Sequence, residues 1–282
     1  MYLNGIMLVS AVLHFQSARF DPGNDLPYVL FLPTYAATAW YHRRLEPALQ
    51  EDLRRTLDQV EAFARGEYAA ALFRGAALSK EERAQIARKL ARYTGLSAGY
   101  VERTDLRIDI CRFVKELLRD ERRTVGRLDS RFTGIDRDAA GEKFEFDPSY
   151  AAIQGAYTAT LNDYVRADLG FESDLPYEIL TGLHERWDYG KYQNQYVNVA
   201  ETLRAAMAQN PFLKVFVANG YYDLATPYFA TRYTFHHLGL DPGLQENVSM
   251  GYYEAGHMMY IHRPSLERLK KDLAQFIRSA TP

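Results

Sequence analysis

FLKVFVANGYYDLATP, residues 212–227, decides the fold of this chain. Its first seven residues are an apolar run typical of a buried strand, and a polar loop follows directly at 219–223. The surrounding sequence predicts helices over 198–209, 226–238 and 265–278, and a second strand over 247–253. This alternation favours parallel strands joined by crossover helices.

A second apolar stretch, LNGIMLVSAVLHF, occupies residues 3–15 and predicts a strand buried on both faces of the same sheet. Between the two stretches the pattern is mainly helical, with predicted helices over 46–65, 79–92, 108–119 and 148–169. Ser79 and Glu82 form a capping box, and Gly95 ends that helix.

We therefore predict an α/β fold with a partial parallel sheet of about three strands and a large helical insertion. The predicted segments are a core strand in 1–19, a mainly helical cap in 20–197 and the rest of the core in 198–282.

Composition narrows the class of protein. The chain has 282 residues, 47% hydrophobic and 25% charged, which excludes a disordered chain. Lys and Arg number 34 against 36 Asp and Glu, so the basic excess typical of nucleic-acid binding is missing and we expect no nucleic-acid partner. No apolar run approaches the roughly 20 residues of a membrane span, and the start lacks the pattern of a signal peptide. We expect no membrane association, and the compartment stays open.

The chain has one cysteine, Cys111, which cannot form an internal disulfide and which we expect to be a small apolar core residue. The histidines lack the spacing of a metal site, and His236 and His237 fit a helix C-terminus that Gly239 caps. We expect neither a metal nor a cofactor.

Polar loops follow the two strands of the C-terminal part, where ligands of open parallel sheets bind. Asp223 lies in the first loop and His257 in the second. A carboxylate beside an imidazole is the orienting half of a nucleophilic triad, in which His257 takes a proton from a hydroxyl. The alternative is that Asp223 only caps a turn or the helix that follows.

A possible nucleophile is Ser97, because GLSAG at 95–99 satisfies G-x-S-x-G and Ser97, Asp223 and His257 follow the order of a hydrolase triad. The nucleophile of that motif sits on a strained turn after a strand, whereas a helical pattern precedes Ser97. We interpret Ser97 as the N-cap or turn residue of a helix.

The sequences of the two polar loops resemble those of a known enzyme family. NGYYDLATP (219–227) and YYEAGHMMYIHRP (252–264) resemble the Asp and His motifs of the serine carboxypeptidases, peptidases of the α/β-hydrolase fold. DLPYVLFLPTYAATAWYH (25–42) and TGLSAGYVERTDLRIDICRF (94–113) resemble the bacterial branch of that family. The resemblance implies that Asp223 is the triad acid, His257 the base and Met258 a residue that lines the leaving-group pocket, with a peptide as substrate.

The family places its nucleophile in a Gly-Glu-Ser-Tyr-Gly turn upstream of the strand that LNGIMLVS resembles. We therefore expect the nucleophile to be encoded before Met1 and the 282 residues alone to be inactive. The alternative is a non-enzymatic interaction protein derived from such a hydrolase. Family topology would leave the outer edge of the first strand bare, so self-association through that edge is also expected.

Overall fold

The computed structural model describes residues 3–281. Within these residues the fold is mixed α/β, with a parallel sheet of strand order β1-β4-β5 and an antiparallel hairpin of β2 and β3. The strands are β1 (Gly5–Val9), β2 (Thr124–Val125), β3 (Thr133–Gly134), β4 (Lys214–Gly220) and β5 (Val248–Tyr253). Met1, Tyr2 and Pro282, which belong to the predicted terminal segments, lie outside the described residues.

Most of the helices lie between β1 and β4. The α-helices are α1 (Leu26–Tyr41), α2 (Pro47–Gln50), α3 (Leu53–Phe63), α4 (Ala69–Arg74), α5 (Lys80–Thr94), α6 (Ala98–Arg103), α7 (Ile110–Glu116), α8 (Pro148–Asp163), α9 (Leu183–Arg186), α10 (Ala200–Gln209), α11 (Tyr228–His236), α12 (Pro242–Gln245) and α13 (Arg263–Ala280). The predicted helical region is therefore present, and its proposed boundaries at residues 19 and 197 stay a prediction. No helix of residues 3–281 is long and apolar enough to cross a membrane.

Strand β4 is the centre of the parallel sheet. Val215 pairs with both Ile6 of β1 and Val248 of β5, and every residue of β4 after Lys214 is buried. Alternate side chains enter different cores because successive residues of a strand point to opposite faces. Val215 and Val217 pack in one cluster with Met207 of α10, and Phe216 and Ala218 pack in another with Phe276 of α13.

The prediction for residues 3–15 was wrong in extent and in burial. The strand ends at Val9, because Ser10 turns the chain with φ 51°. Within the described residues β1 pairs on one side only, and Met7 and Val9 are 45% and 38% exposed. An apolar run indicates a strand but does not distinguish a central strand from an edge strand.

Short-range sequence signals predicted both ends of α5. Ser79 accepts the Glu82 amide and Glu82 accepts the Ser79 amide, so the predicted capping box begins α5, and Gly95 ends it with φ 72°. The single helix predicted over 46–65 is instead interrupted, because the Asp52 side chain accepts the Arg55 amide and starts α3 anew.

Helix α7 carries both the cysteine of the chain and a buried lysine. Cys111 on α7 is only partly buried, which corrects its placement in the core. The nearby Lys115 is buried instead, because its ammonium group pairs with the buried carboxylate of Asp136 at 2.5 Å. This ion pair joins α7 to the polar loop that follows β3.

Candidate active site

The structure brings Asp223 and His257 together. Asp223 follows β4 and His257 follows β5, and the carboxyl ends of parallel strands meet at one edge of the sheet. His257 Nδ1 lies 2.9 Å from Asp223 Oδ2. The Asp223 side chain is fully buried, whereas the His257 side chain is 31% exposed. A buried carboxylate therefore supports an imidazole that solvent can reach.

The Asp223 carboxylate also shapes its own loop. Its Oδ1 accepts the amides of Ala225 and Thr226 at 2.8 and 2.9 Å, and its Oδ2 accepts the Thr226 hydroxyl at 2.6 Å. The turn interpretation and the dyad interpretation of this residue are both present, because Oδ1 bonds only within the turn while Oδ2 also bonds to His257. Four hydrogen bonds fix the carboxylate in the orientation that faces His257.

The pairing sets the tautomer and basicity of His257. A carboxylate accepts only, so Nδ1 carries the proton and donates it to Asp223, which leaves Nε2 as the basic nitrogen. Burial of the imidazole lowers its pKa, and the hydrogen bond to Asp223 with its negative charge outweighs burial, so the pKa of His257 is raised. Among residues 3–281 no hydrogen bond uses Nε2, which is thus available to a reacting hydroxyl.

The backbone of His257 is held from two sides. Its amide donates to the Leu128 carbonyl at 2.6 Å, and its carbonyl accepts the Ser10 hydroxyl at 2.6 Å. Ser10 is the residue with φ 51° that ends β1, so the three strands of the parallel sheet all contribute to this site. Ser10, Thr226 and Leu128 were missed at the sequence level. Leu128 acts through its carbonyl, which carries no side-chain signal.

Ser97 lies apart from this arrangement. It is the N-cap of α6, and its hydroxyl accepts the Tyr100 amide at 3.1 Å. No hydrogen bond in the described residues joins Ser97 to Asp223 or His257. The interpretation of Ser97 as a helix cap is therefore the one that the structure favours.

Met258 follows His257 and is 9% exposed. Its proposed role beside a leaving group stays a prediction.

A cavity of about 700 Å³ lies at the opposite edge of the sheet, where Asn4 precedes β1 and Lys214 begins β4. Another, of about 600 Å³, is lined by side chains that include Phe15, Arg19 and Tyr192. Neither is lined by Asp223 or His257.

Among residues 3–281 no group of three or more His, Cys, Asp or Glu side chains is arranged to hold a metal ion. The chemistry that this site supports is proton transfer by a carboxylate-oriented imidazole. Comparison of the chain with protein-family profiles, with curated proteins and with solved structures returned no match.

Proposed function

We propose that this chain carries the acid and base of a serine-type carboxypeptidase with a partial α/β-hydrolase fold, and that its nucleophilic serine comes from polypeptide outside residues 1–282. The observation that carries the proposal is the hydrogen bond between His257 Nδ1 and Asp223 Oδ2 beside an unengaged Nε2. The exopeptidase specificity rests on the resemblance of the two loops that hold these residues.

The chemistry is acyl transfer. His257 Nε2 takes the proton of the serine hydroxyl while the serine oxygen attacks the carbonyl carbon of the last peptide bond. The imidazolium then gives that proton to the leaving amino group as the C–N bond breaks, which leaves an ester on the enzyme. His257 then takes a proton from a water molecule that attacks the ester carbonyl, and the imidazolium returns that proton to the serine oxygen as the ester C–O bond breaks. Asp223 stays ionised and holds the imidazole in the required tautomer.

The free edge of β1 is the place where the serine would be supplied. A strand that pairs in parallel with β1 would end at the same edge of the sheet as Ser10 and His257. Met7 and Val9 leave apolar surface uncovered beside that edge. The proposal therefore assigns this edge to the strand that precedes the nucleophile.

The test is to purify the protein from its source through a C-terminal tag, so that any preceding or associated polypeptide is retained. We expect a fluorophosphonate probe to label one serine outside residues 1–282 and the preparation to release the C-terminal residue of blocked dipeptides. His257→Ala should lower kcat/KM by about 10⁶-fold and Asp223→Asn by about 10⁴-fold, because triad members act as a unit. His237→Ala, on the far end of α11, is the control that should retain activity.

Other outcomes would contradict the proposal. A label on Ser97 that disappears in Ser97→Ala would favour the G-x-S-x-G hydrolase. A preparation that neither labels nor hydrolyses, but holds a partner through the β1 edge, would favour the non-enzymatic interaction protein. That second candidate is favoured by the exposed Met7 and Val9 side chains.

A further inference from the structure

The helical region reaches the site through one hairpin. Strands β2 and β3 pair Thr124 with Gly134, and the loop between them includes residues 126–131, which we call the bridging turn. The Gly126 amide donates to the Phe132 carbonyl at 2.9 Å and closes this loop. The bridging turn contacts both of the loops that hold the dyad.

The first set of contacts is with the loop of Asp223. The Leu224 amide donates to the Arg127 carbonyl at 3.0 Å, and the Ser130 amide donates to the Tyr222 carbonyl at 3.0 Å. These two bonds lie on either side of Asp223 in the chain. The position of the acid is thereby fixed relative to the bridging turn.

The second set of contacts is with the loop of His257. The His257 amide donates to the Leu128 carbonyl at 2.6 Å, and the Gly256 amide donates to Asp129 Oδ2 at 3.2 Å. A Cβ atom on Gly256 would lie 2.4 Å from the Asp129 Cβ and 2.5 Å from the Leu128 oxygen. The glycine is required because the two backbones approach so closely.

A charged pair completes the second set. The Asp129 side chain is fully buried, and its two oxygens accept Nε and Nη2 of Arg131 at 2.9 and 2.7 Å. Arg131 Nη1 donates to the Glu254 carbonyl at 3.0 Å, and the guanidinium lies over the Tyr222 ring at 5.5 Å. One ion pair therefore touches the acid loop and the base loop together.

The bridging turn is itself anchored to α1. His42 Nε2 donates to the Ser130 carbonyl at 2.7 Å, and the hydroxyls of Thr38 and Ser130 lie 2.6 Å apart. The turn is thus held by a buried helix on one side and by the two dyad loops on the other. Its displacement would change the distance between acid and base.

We propose that Asp129 and Arg131 are positioning residues of the dyad, which hold the His257 imidazole against the Asp223 carboxylate. This inference rests on the proposed function, because it treats the dyad as the acid and base of a hydrolase. Neither side chain hydrogen-bonds to the imidazole, and both bond to the backbone of the loop at residues 254–257.

The test is NMR of the folded chain with ¹⁵N-labelled histidine, which reports the ionisation of His257 and its Nδ1 proton without any need for activity. In the wild type we expect a downfield Nδ1 proton that is lost in Asp223→Asn. In Asp129→Asn and in Arg131→Gln we expect the same resonance to be lost and the pKa of His257 to fall towards its ordinary value.

The two variants distinguish a positioning effect on His257 from an electrostatic effect. Asp129→Asn removes a negative charge and Arg131→Gln removes a positive charge, so a purely electrostatic effect would move the pKa of His257 in opposite directions. A positioning effect lowers it in both. The other groups that act on this imidazole, Asp223 and Arg127, are unchanged in either variant.

Asp25→Asn is the matched control, because it breaks a partly buried ion pair with Arg107 in the helical region, and neither of these side chains bonds to the bridging turn. We expect that variant to lose stability while the His257 signals stay as in the wild type. Folded Asp129 or Arg131 variants with unchanged His257 signals would overturn the inference. A wild-type His257 that Asp223→Asn leaves unchanged would instead contradict the proposed function.

Discussion

At the scale of single residues, the carboxylate of Asp223 has two tasks. Oδ1 accepts two amides of its own turn, and Oδ2 faces the imidazole of His257. A residue type that is common in turns is thereby also placed for proton transfer. The sequence left a turn cap and a triad acid as alternatives for Asp223, and only the position of His257 shows that the two coexist.

The pair makes folding stability depend on pH. The pKa of His257 is raised in the folded protein, so the protonated pair stabilises the fold fully below the ordinary histidine pKa of about 6.5. That stabilisation is lost as the pH rises through the pKa of the folded state. Replacement of Asp223 by Asn removes the charge that raises the pKa.

We therefore expect Asp223→Asn to reduce the free energy of unfolding more at about pH 5.5 than at about pH 9. Urea unfolding of the two proteins at both pH values measures the difference. An equal loss of stability at the two pH values would contradict the assignment of Asp223 as the group that stabilises protonated His257.

At the scale of secondary-structure elements, α3 and α11 are joined by one buried carboxylate. The Glu61 side chain is 6% exposed and accepts hydrogen bonds from Tyr228 at 2.8 Å, from Arg54 at 2.7 Å and from Arg232. Tyr228 is the first residue of α11, which follows the Asp223 loop. This carboxylate therefore ties the helical region to the element behind the acid.

We expect Glu61→Gln to lower the free energy of unfolding by about 2 kcal/mol or more, because two arginines lose their buried counter-charge. Asp58→Asn on the same helix is the control. Asp58 also pairs with Arg54 but is 67% exposed, so its loss should change stability by less than about 0.5 kcal/mol. If urea unfolding gives the same loss of stability for the two variants, the buried position of Glu61 does not increase its contribution.

Elements with local signals could be predicted from the sequence. The capping box of Ser79 and the stop at Gly95 depend on residues three or four positions apart, and α5 has the expected ends. The strands at 214–220 and 248–253 were also found, with ends shifted by one or two residues. Together with β1, which is shorter than predicted, they form the three-stranded parallel sheet of the predicted fold.

The bridging turn could not be predicted, because its role depends on contacts between residues that lie 92 to 129 positions apart in the sequence. The carbonyl of Leu128 and the amide of His257 carry no sequence signal, and a charged stretch such as RLDSR usually faces solvent. Gly256 did carry a sequence signal for this contact, because a glycine beside a candidate base indicates that another backbone approaches closely.

At the scale of the whole molecule, the parallel sheet is covered unevenly. Ile6 and Leu8 pack into the cluster of Val215 and Val217, whereas Met7 and Val9 on the other face of β1 remain exposed. The outer edge of β1 has no strand partner in the described residues. An apolar strand with a free edge is a template for pairing with another chain.

We therefore expect the isolated chain to self-associate at concentrations of about 100 μM, and the double variant Met7→Lys/Val9→Lys to remain monomeric. Sedimentation velocity over a concentration series measures this. Phe73→Lys is the control, because Phe73 is 94% exposed on α4 and its replacement removes apolar surface elsewhere. If the double variant associates as strongly as the wild type, the β1 edge is excluded as the contact.

The hairpin of β2 and β3 has a consequence for how the proposed peptide substrate would reach His257. A lid that swings open must break few bonds with the machinery it covers, yet this hairpin is bonded to the loops of both Asp223 and His257. If it lifted, the contact between Asp223 and His257 would be disturbed in the same movement. Under the proposed function, we therefore expect the hairpin to stay in place while a peptide reaches His257.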